Sequence, residues 1–259
     1  MSLLNRFAVL VALLPLSACN SSSHFDRHLN PPADAQWVTL SVKVPENVET
    51  LPMDVLYRSQ ICQEKAYDNL TESHVKLIPA HNANDVSLVR QDGSDIYQAR
   101  IAINGGSSCQ WSLSVIRMRL QFKTDSSLAR GKESISSSTT FIFDELGEKS
   151  SLLSGNPKDV YGDQHIIIKY FPSIFVNHLM NESYLDLFAG DTRRDKWSRT
   201  YKVHDAKNIF VESILESKKV VMLESTNPPP GDIMITYPDG SISHSSKTYA
   251  DYEKLLSIE

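Results

Sequence analysis

Asp186, Asp191 and Asp195 share one short stretch with Arg193, Arg194, Lys196 and Arg199, the densest mixture of opposite charges in the chain. Two kinds of chemistry use such a set. Asp186 and Asp191 would serve as the acid and base of glycosidic hydrolysis, but only at a separation that sequence does not set. Arginine and tryptophan are enriched where protein interfaces are anchored. Arg193, Arg194, Trp197 and Arg199 are therefore the candidate partner-binding residues of a recognition loop. The same stretch also reads as a solvated, salt-bridged loop with Trp197 tucked into the core.

Other constellations are thinner. His24 and His28 flank Asp26 at helical spacing, but their surroundings carry no helix signal and no third ligand. Arg117, Arg119 and Lys123 line one side of an alternating segment, where a solvent-facing sheet surface needs polar residues in any case. There is no Gly-x-Ser-x-Gly elbow, Ser-x-x-Lys, His-Glu-x-x-His or phosphate-binding glycine loop. No catalytic residue, metal ligand or cofactor is assigned on this basis.

The N-terminus carries chemistry of another kind. Arg6 precedes the apolar run Phe7 to Leu16, which leads into Leu16-Ser17-Ala18-Cys19. The run is about ten residues, too short for a hydrocarbon core that needs about 20. This arrangement resembles the signal peptide and lipobox of bacterial lipoprotein precursors. The resemblance implies removal of residues 1–18, a diacylglyceryl thioether on Cys19 and an amide-linked acyl chain on its amine; two chains already make anchoring stable. Asn20, in place of Asp, implies sorting to the outer membrane of an enteric envelope, facing the periplasm. An ordinary secretory peptide cut after Ala18 gives export and the same start. Export in turn gives Cys62 and Cys109 an oxidising compartment, where a single disulfide is the natural pairing, against two free thiols or a catalytic one.

Composition agrees with a folded exported domain. The 259-residue chain is 41% hydrophobic and 22% charged, with a net charge of −5. It lacks the basic face of a nucleic-acid binder. No later segment approaches 18 consecutive apolar residues.

The elements that must position these residues are mostly strands. Residues 19–36, with Ser21-Ser22-Ser23 and Pro31-Pro32, read as a flexible tether. Val38, Leu40, Val42 and Val44 alternate with polar residues as in a half-buried strand, and Leu51 to Tyr57 and Tyr97 to Ile103 repeat the pattern. Gln91-Asp-Gly-Ser94 has hairpin chemistry, and Asn104-Gly-Gly106 reads as a turn. In Trp111 to Lys123 the alternation changes parity at Val115-Ile116, which predicts a β-bulge or a strand that crosses between sheets. Thr139 to Phe143 is a further strand.

These segments predict a mainly β protein. A disulfide-stapled β-sandwich over 37–143, immunoglobulin-like at most, is followed by a linker over 144–163 and a smaller β-rich α+β module over 164–259. In that module a strand ends at Pro172 and Ser173 caps a helix from Ile174 to Met180. Asn208 to Lys219 is ambiguous between helix and strand. Val220 to Leu223 is a strand, Asp232 to Ser243 a hairpin, and Tyr249 to Ile258 a closing helix.

Three functions suit this organisation. The first is a non-catalytic protein-binding module, for instance an immunity protein that neutralises a secreted toxin acting on the envelope. The others are an envelope hydrolase with its site between the two modules, and a subunit of an envelope or secretion machine.

Overall fold

The computed structural model describes residues 25–68, 71–226 and 231–259; Cys19, His24 and the triple proline Pro228 to Pro230 lie outside them. The protein is mainly β. The first half holds β1 (Trp37–Lys43), β2 (Val48–Asp68), β3 (Thr71–Val86), β4 (Val89–Arg90) and β5 (Ile96–Ala102). It continues with β6 (Asn104–Gly106), β7 (Trp111–Phe122), β8 (Glu133–Ile135) and β9 (Ser137–Ile142). The second half holds β10 (Pro157–Tyr161), β11 (Gln164–Asn177), β12 (Glu182–Phe188), β13 (Thr200–His204) and β14 (Asn208–Leu215). β15 (Val221–Glu224), β16 (Ile233–Thr236), β17 (Ile242–Ser245) and a short helix α1 (Tyr252–Ser257) complete it.

The strands form two sheets. One has the order β17-β16-β15-β11-β14-β1-β5-β4, with β12 on β11 and β8 on β12. The other has the order β10-β13-β9-β7-β2-β3, with β6 on β7. A single apolar cluster joins both: Val38, Leu40 and Val42 of β1, Met53 and Val55 of β2, Trp111, Leu113, Ile116, Met118, Leu120 and Phe122 of β7, and Ile209 and Val211 of β14. Alternation produces this packing. In β1 every second residue is buried, as a strand with one face on the core requires.

The expected boundary at 144–163 divides neither sheet. β1 lies between β5 and β14, with Thr39 paired in parallel to Asn208. β13 lies between β9 and β10, both in parallel. The expected linker itself contains β10 and a 3-10 turn at Gly147–Lys149. β10 escaped notice because it is an edge strand with no fully buried residue. The parallel pairs also depart from the antiparallel sheets of immunoglobulin domains.

Other differences have local causes. The strand does not stop at Pro172, and Ile174 to Met180 is not a helix. β11 runs on to Asn177, and Pro172 falls where β11 exchanges β14 for β12 and β15 as neighbours. A missing N–H costs little at such an interruption. The ambiguous segment becomes β14, whose Ile209, Val211 and Ser213 alternate inward. Asn104–Gly106 is a short strand on β7, and the closing helix is confined to Tyr252–Ser257. The bulge in β7 falls at Ser114, one residue before the expected site. Leu113 and Val115 pair with the adjacent Tyr57 and Leu56, which leaves Ser114 as the extra residue. Its buried hydroxyl donates to Asp144 Oδ1 at 2.7 Å.

The Cys62–Cys109 disulfide is present, with Cα atoms 5.3 Å apart. It pins a larger bulge, since Gln60, Ile61 and Cys62 have no partner between Ser59↔Ala80 and Gln63↔Pro79. The Ser59 hydroxyl organises this bulge. It accepts from the amides of Ile61 and Cys62 and donates to the Cys109 carbonyl.

Residues 25–36 are not a tether. Trp111 Nε1 donates to the Asp26 carbonyl at 3.0 Å, and Asn82 Nδ2 to that of Arg27 at 2.6 Å. Asn30 bridges to Gly106, where an added Cβ would lie 2.0 Å from the Asn30 carbonyl oxygen. Gln36 closes the segment against Asn104 and Ile103. The polar composition of this stretch hid the docking, because main-chain carbonyls make most of these contacts.

Candidate functional site

The loop between β12 and β13 carries the charged stretch, and the C-terminal hairpin and α1 pack beside it. Gly190 begins the loop with φ of +90°, and an added Cβ would approach Trp197 Cγ to 2.8 Å. The indole therefore lies on the glycine, with its ring edge-on to Tyr252 at 4.6 Å. Gly190→Ala meets both a disfavoured backbone conformation and the indole, at a cost of about 2 kcal/mol. Urea unfolding should report that loss together with a red-shifted Trp197 emission; unchanged values would show that the indole does not rest there.

Two cavities open on this region and meet at Asp191 and Tyr249. The first, of about 330 Å³, is lined by Arg194, Trp197, Tyr237, Lys247 and Tyr249 among others. Lysines cover its rings, with Lys254 Nζ 3.8 Å from the Tyr237 centroid and Lys196 Nζ 4.8 Å from that of Trp197. Arg193 lies 5.2 Å from the Tyr249 centroid and also donates to Asp191 at 2.9 Å. Burial alone would raise the Asp191 carboxyl, but the neighbouring Tyr249 hydroxyl and the Arg193 guanidinium hold it below its usual range.

The second cavity, of about 380 Å³, is lined by Ser137, Ser138, Asp186 and Arg199 among others. It joins residues from both sides of the boundary expected at 144–163. Arg199 braces its wall, donating to the carbonyls of Ser138 at 3.0 Å and Ala189 at 2.9 Å, and to Ser137 Oγ at 3.2 Å. Burial pushes the Asp186 carboxyl up to about 6, and Arg199 offsets only part of this. Tyr170, buried beside them, has its hydroxyl pushed up by burial as well.

The four sequence-derived candidates thus divide. Arg194 is exposed in the wall of the first cavity, Arg193 is exposed over the Tyr249 ring, Trp197 is half-buried in the wall, and Arg199 is an internal brace. Asp195 accepts from Asn156 Nδ2 at 2.6 Å, so it and Asp191 are each committed to other partners. Arg117 and Arg119 both turn onto Asp54. Three histidines lie apart, each on its own carboxylate: His165 on Glu212, His178 on Glu224 and His204 on Asp159. Among the described residues, no three His, Cys, Asp or Glu side chains gather as metal ligands would.

Sequence reasoning missed Tyr237, Lys247 and Tyr249. They are separated from Trp197 along the chain and reach the site only because the β16–β17 hairpin folds beside the loop. The sole signal in the sequence was the clustering of tyrosines at 237, 249 and 252.

Compared with known proteins, the chain matches no family model, no curated protein and no solved structure.

Proposed function

We propose that this protein is a lipid-anchored envelope protein, held through Cys19 at the outer membrane and facing the periplasm, that acts as a non-catalytic protein-binding module. The lipobox supports the anchor, and the Cys62–Cys109 bridge suits an oxidising compartment. The observation that carries the binding role is the site itself. Exposed Arg194 lines a cavity walled by Trp197, Tyr237 and Tyr249, and exposed Arg193 and Lys196 lie over the rings of Tyr249 and Trp197. Arginine and aromatic side chains around one concavity are the makeup of an interface anchor. An immunity protein that captures a secreted, envelope-acting toxin is one form of this reading.

The test is affinity capture from solubilised envelopes with the lipidated protein as bait. One partner should be enriched, and Arg193→Glu with Arg194→Glu should weaken its binding by at least about tenfold. Equal capture by the variant would move the interface elsewhere, and recovery of only abundant unrelated proteins would end the reading.

Asp186 favours a second reading, an envelope hydrolase. A carboxyl near 6 at the edge of a cavity has the character of a general acid. Hydrolysis of envelope glycans by the wild-type protein that disappears in Asp186→Asn would establish it.

A further inference from the structure

Resting on the Cys19 anchor proposed above, we infer that the Trp111 end of the molecule lies against the bilayer, with Ile61, Lys65 and Leu77 of the β2–β3 ribbon facing the lipid. The amount of chain between anchor and fold carries the argument. Cys19 and Phe25 are six residue steps apart. At no more than about 3.6 Å per step, Phe25 sits within about 22 Å of the modified thiol. Beyond Phe25 there is no slack. Its ring packs on Trp111 at 5.8 Å, and Asp26, Arg27 and Asn30 are each hydrogen-bonded to the body.

The same end carries the ribbon. β2 parts from β7 at Arg58, and among the described strands it continues paired only with β3. Glu64, at the base of the ribbon, lies 3.8 Å from Arg27. From Gln63 to Asp68 the ribbon extends about 17 Å at strand rise, less than the distance that the anchor permits. A bilayer holding Cys19 is therefore within reach of the ribbon.

The exposed chemistry suits that neighbour. Ile61 and Leu77 are apolar yet 58% and 62% exposed. Lys65 stands directly across the ribbon from Leu77. Lys65, Lys76 beside Leu77 in sequence, and Arg27 beside Glu64 are exposed cations of the same end. Apolar side chains set among lysines are what an interfacial surface presents to headgroups and acyl boundary. Anionic lipids add attraction for the cations.

Brominated acyl chains test this by quenching nearby tryptophan. The full-length protein, processed in its envelope host, would be placed in phosphatidylethanolamine–phosphatidylglycerol vesicles with and without bromine. Leu77→Trp and Ile61→Trp, both at exposed sites that tolerate the larger ring, should lose about half of their added emission, consistent with a depth of about 5–10 Å. Ile242→Trp, exposed on the edge strand β17 of the other sheet, should lose none.

Mass analysis of the N-terminal peptide separates the two ways to fail. Diacylated Cys19 with unquenched emission at both ribbon sites overturns the orientation and leaves the anchor standing. Unquenched but blue-shifted emission would mean that protein, either a second copy or another partner, covers the ribbon instead. An unmodified Cys19 overturns the anchor and the orientation together.

Discussion

A Cys62→Ser/Cys109→Ser double variant should unfold about 4 kcal/mol more easily than the oxidised protein. The cysteines are 47 residues apart, and a closed loop of that length removes about this much conformational freedom from the unfolded chain. A domain of this kind is stable by roughly 5–15 kcal/mol, so the loss is a large share of the total. The folded state contributes too. Cys109 is fully buried, and the bridge holds the Gln60-Ile61-Cys62 bulge to which Ser59 is hydrogen-bonded. Guanidinium unfolding of the parent, the reduced parent and the double variant would measure the effect. Equal midpoints for all three would show that the bridge does not hold the fold in solution.

The second large effect concerns acidity. Asp186→Asn should stabilise the protein by up to about 3 kcal/mol at pH 7 and by almost nothing below pH 4. The folded carboxyl titrates at about 6, against 3.8 for its ordinary value, and that difference corresponds to about 3 kcal/mol. The folded state therefore keeps a proton that the unfolded chain has already released between those values. Stability is full below about pH 3.8, falls as pH rises through 6, and is level above. Asparagine never ionises, so the variant should lose this slope. Urea unfolding at intervals from pH 4 to 8 reads it directly. A variant as pH-dependent as its parent in that window would mean that Asp186 is better solvated than its surroundings suggest.

Segments with local signals were legible in the sequence. The apolar residues of β1 alternate without exception, and the β16–β17 hairpin declares itself through Pro238-Asp-Gly240, where the Gly240 amide donates to the Tyr237 carbonyl. The disulfide followed from the expected export and from having two cysteines besides Cys19. What stayed hidden depends on distant pairing. Nothing near Thr39 announces Asn208 as its neighbour, so two modules were expected where the sheets interleave. Pro172 reads as a terminator until its position at an exchange of neighbours is known.

The site shows the same division. Arg193, Arg194 and Trp197 stood out by type; Arg194 and Trp197 line a cavity, and Arg193 covers the Tyr249 ring in its wall. The role of Arg199 depends on carbonyls at Ser138 and Ala189, which no spacing rule could name. The elevated Asp186 carboxyl likewise comes from enclosure, a property of three dimensions.

The insertion of β1 between β5 and β14 sets an order of events for a chain that emerges from its N-terminus. The β4–β5 hairpin can receive β1 early, but the opposite border of β1 stays unsaturated until residues 208–215 arrive. Throughout that interval a strand rich in valine and leucine offers bare amides and carbonyls to any passing polypeptide. Chains cut short before residue 208 should therefore clump rather than persist as half-built monomers, and holdase chaperones have their clearest customer in this window.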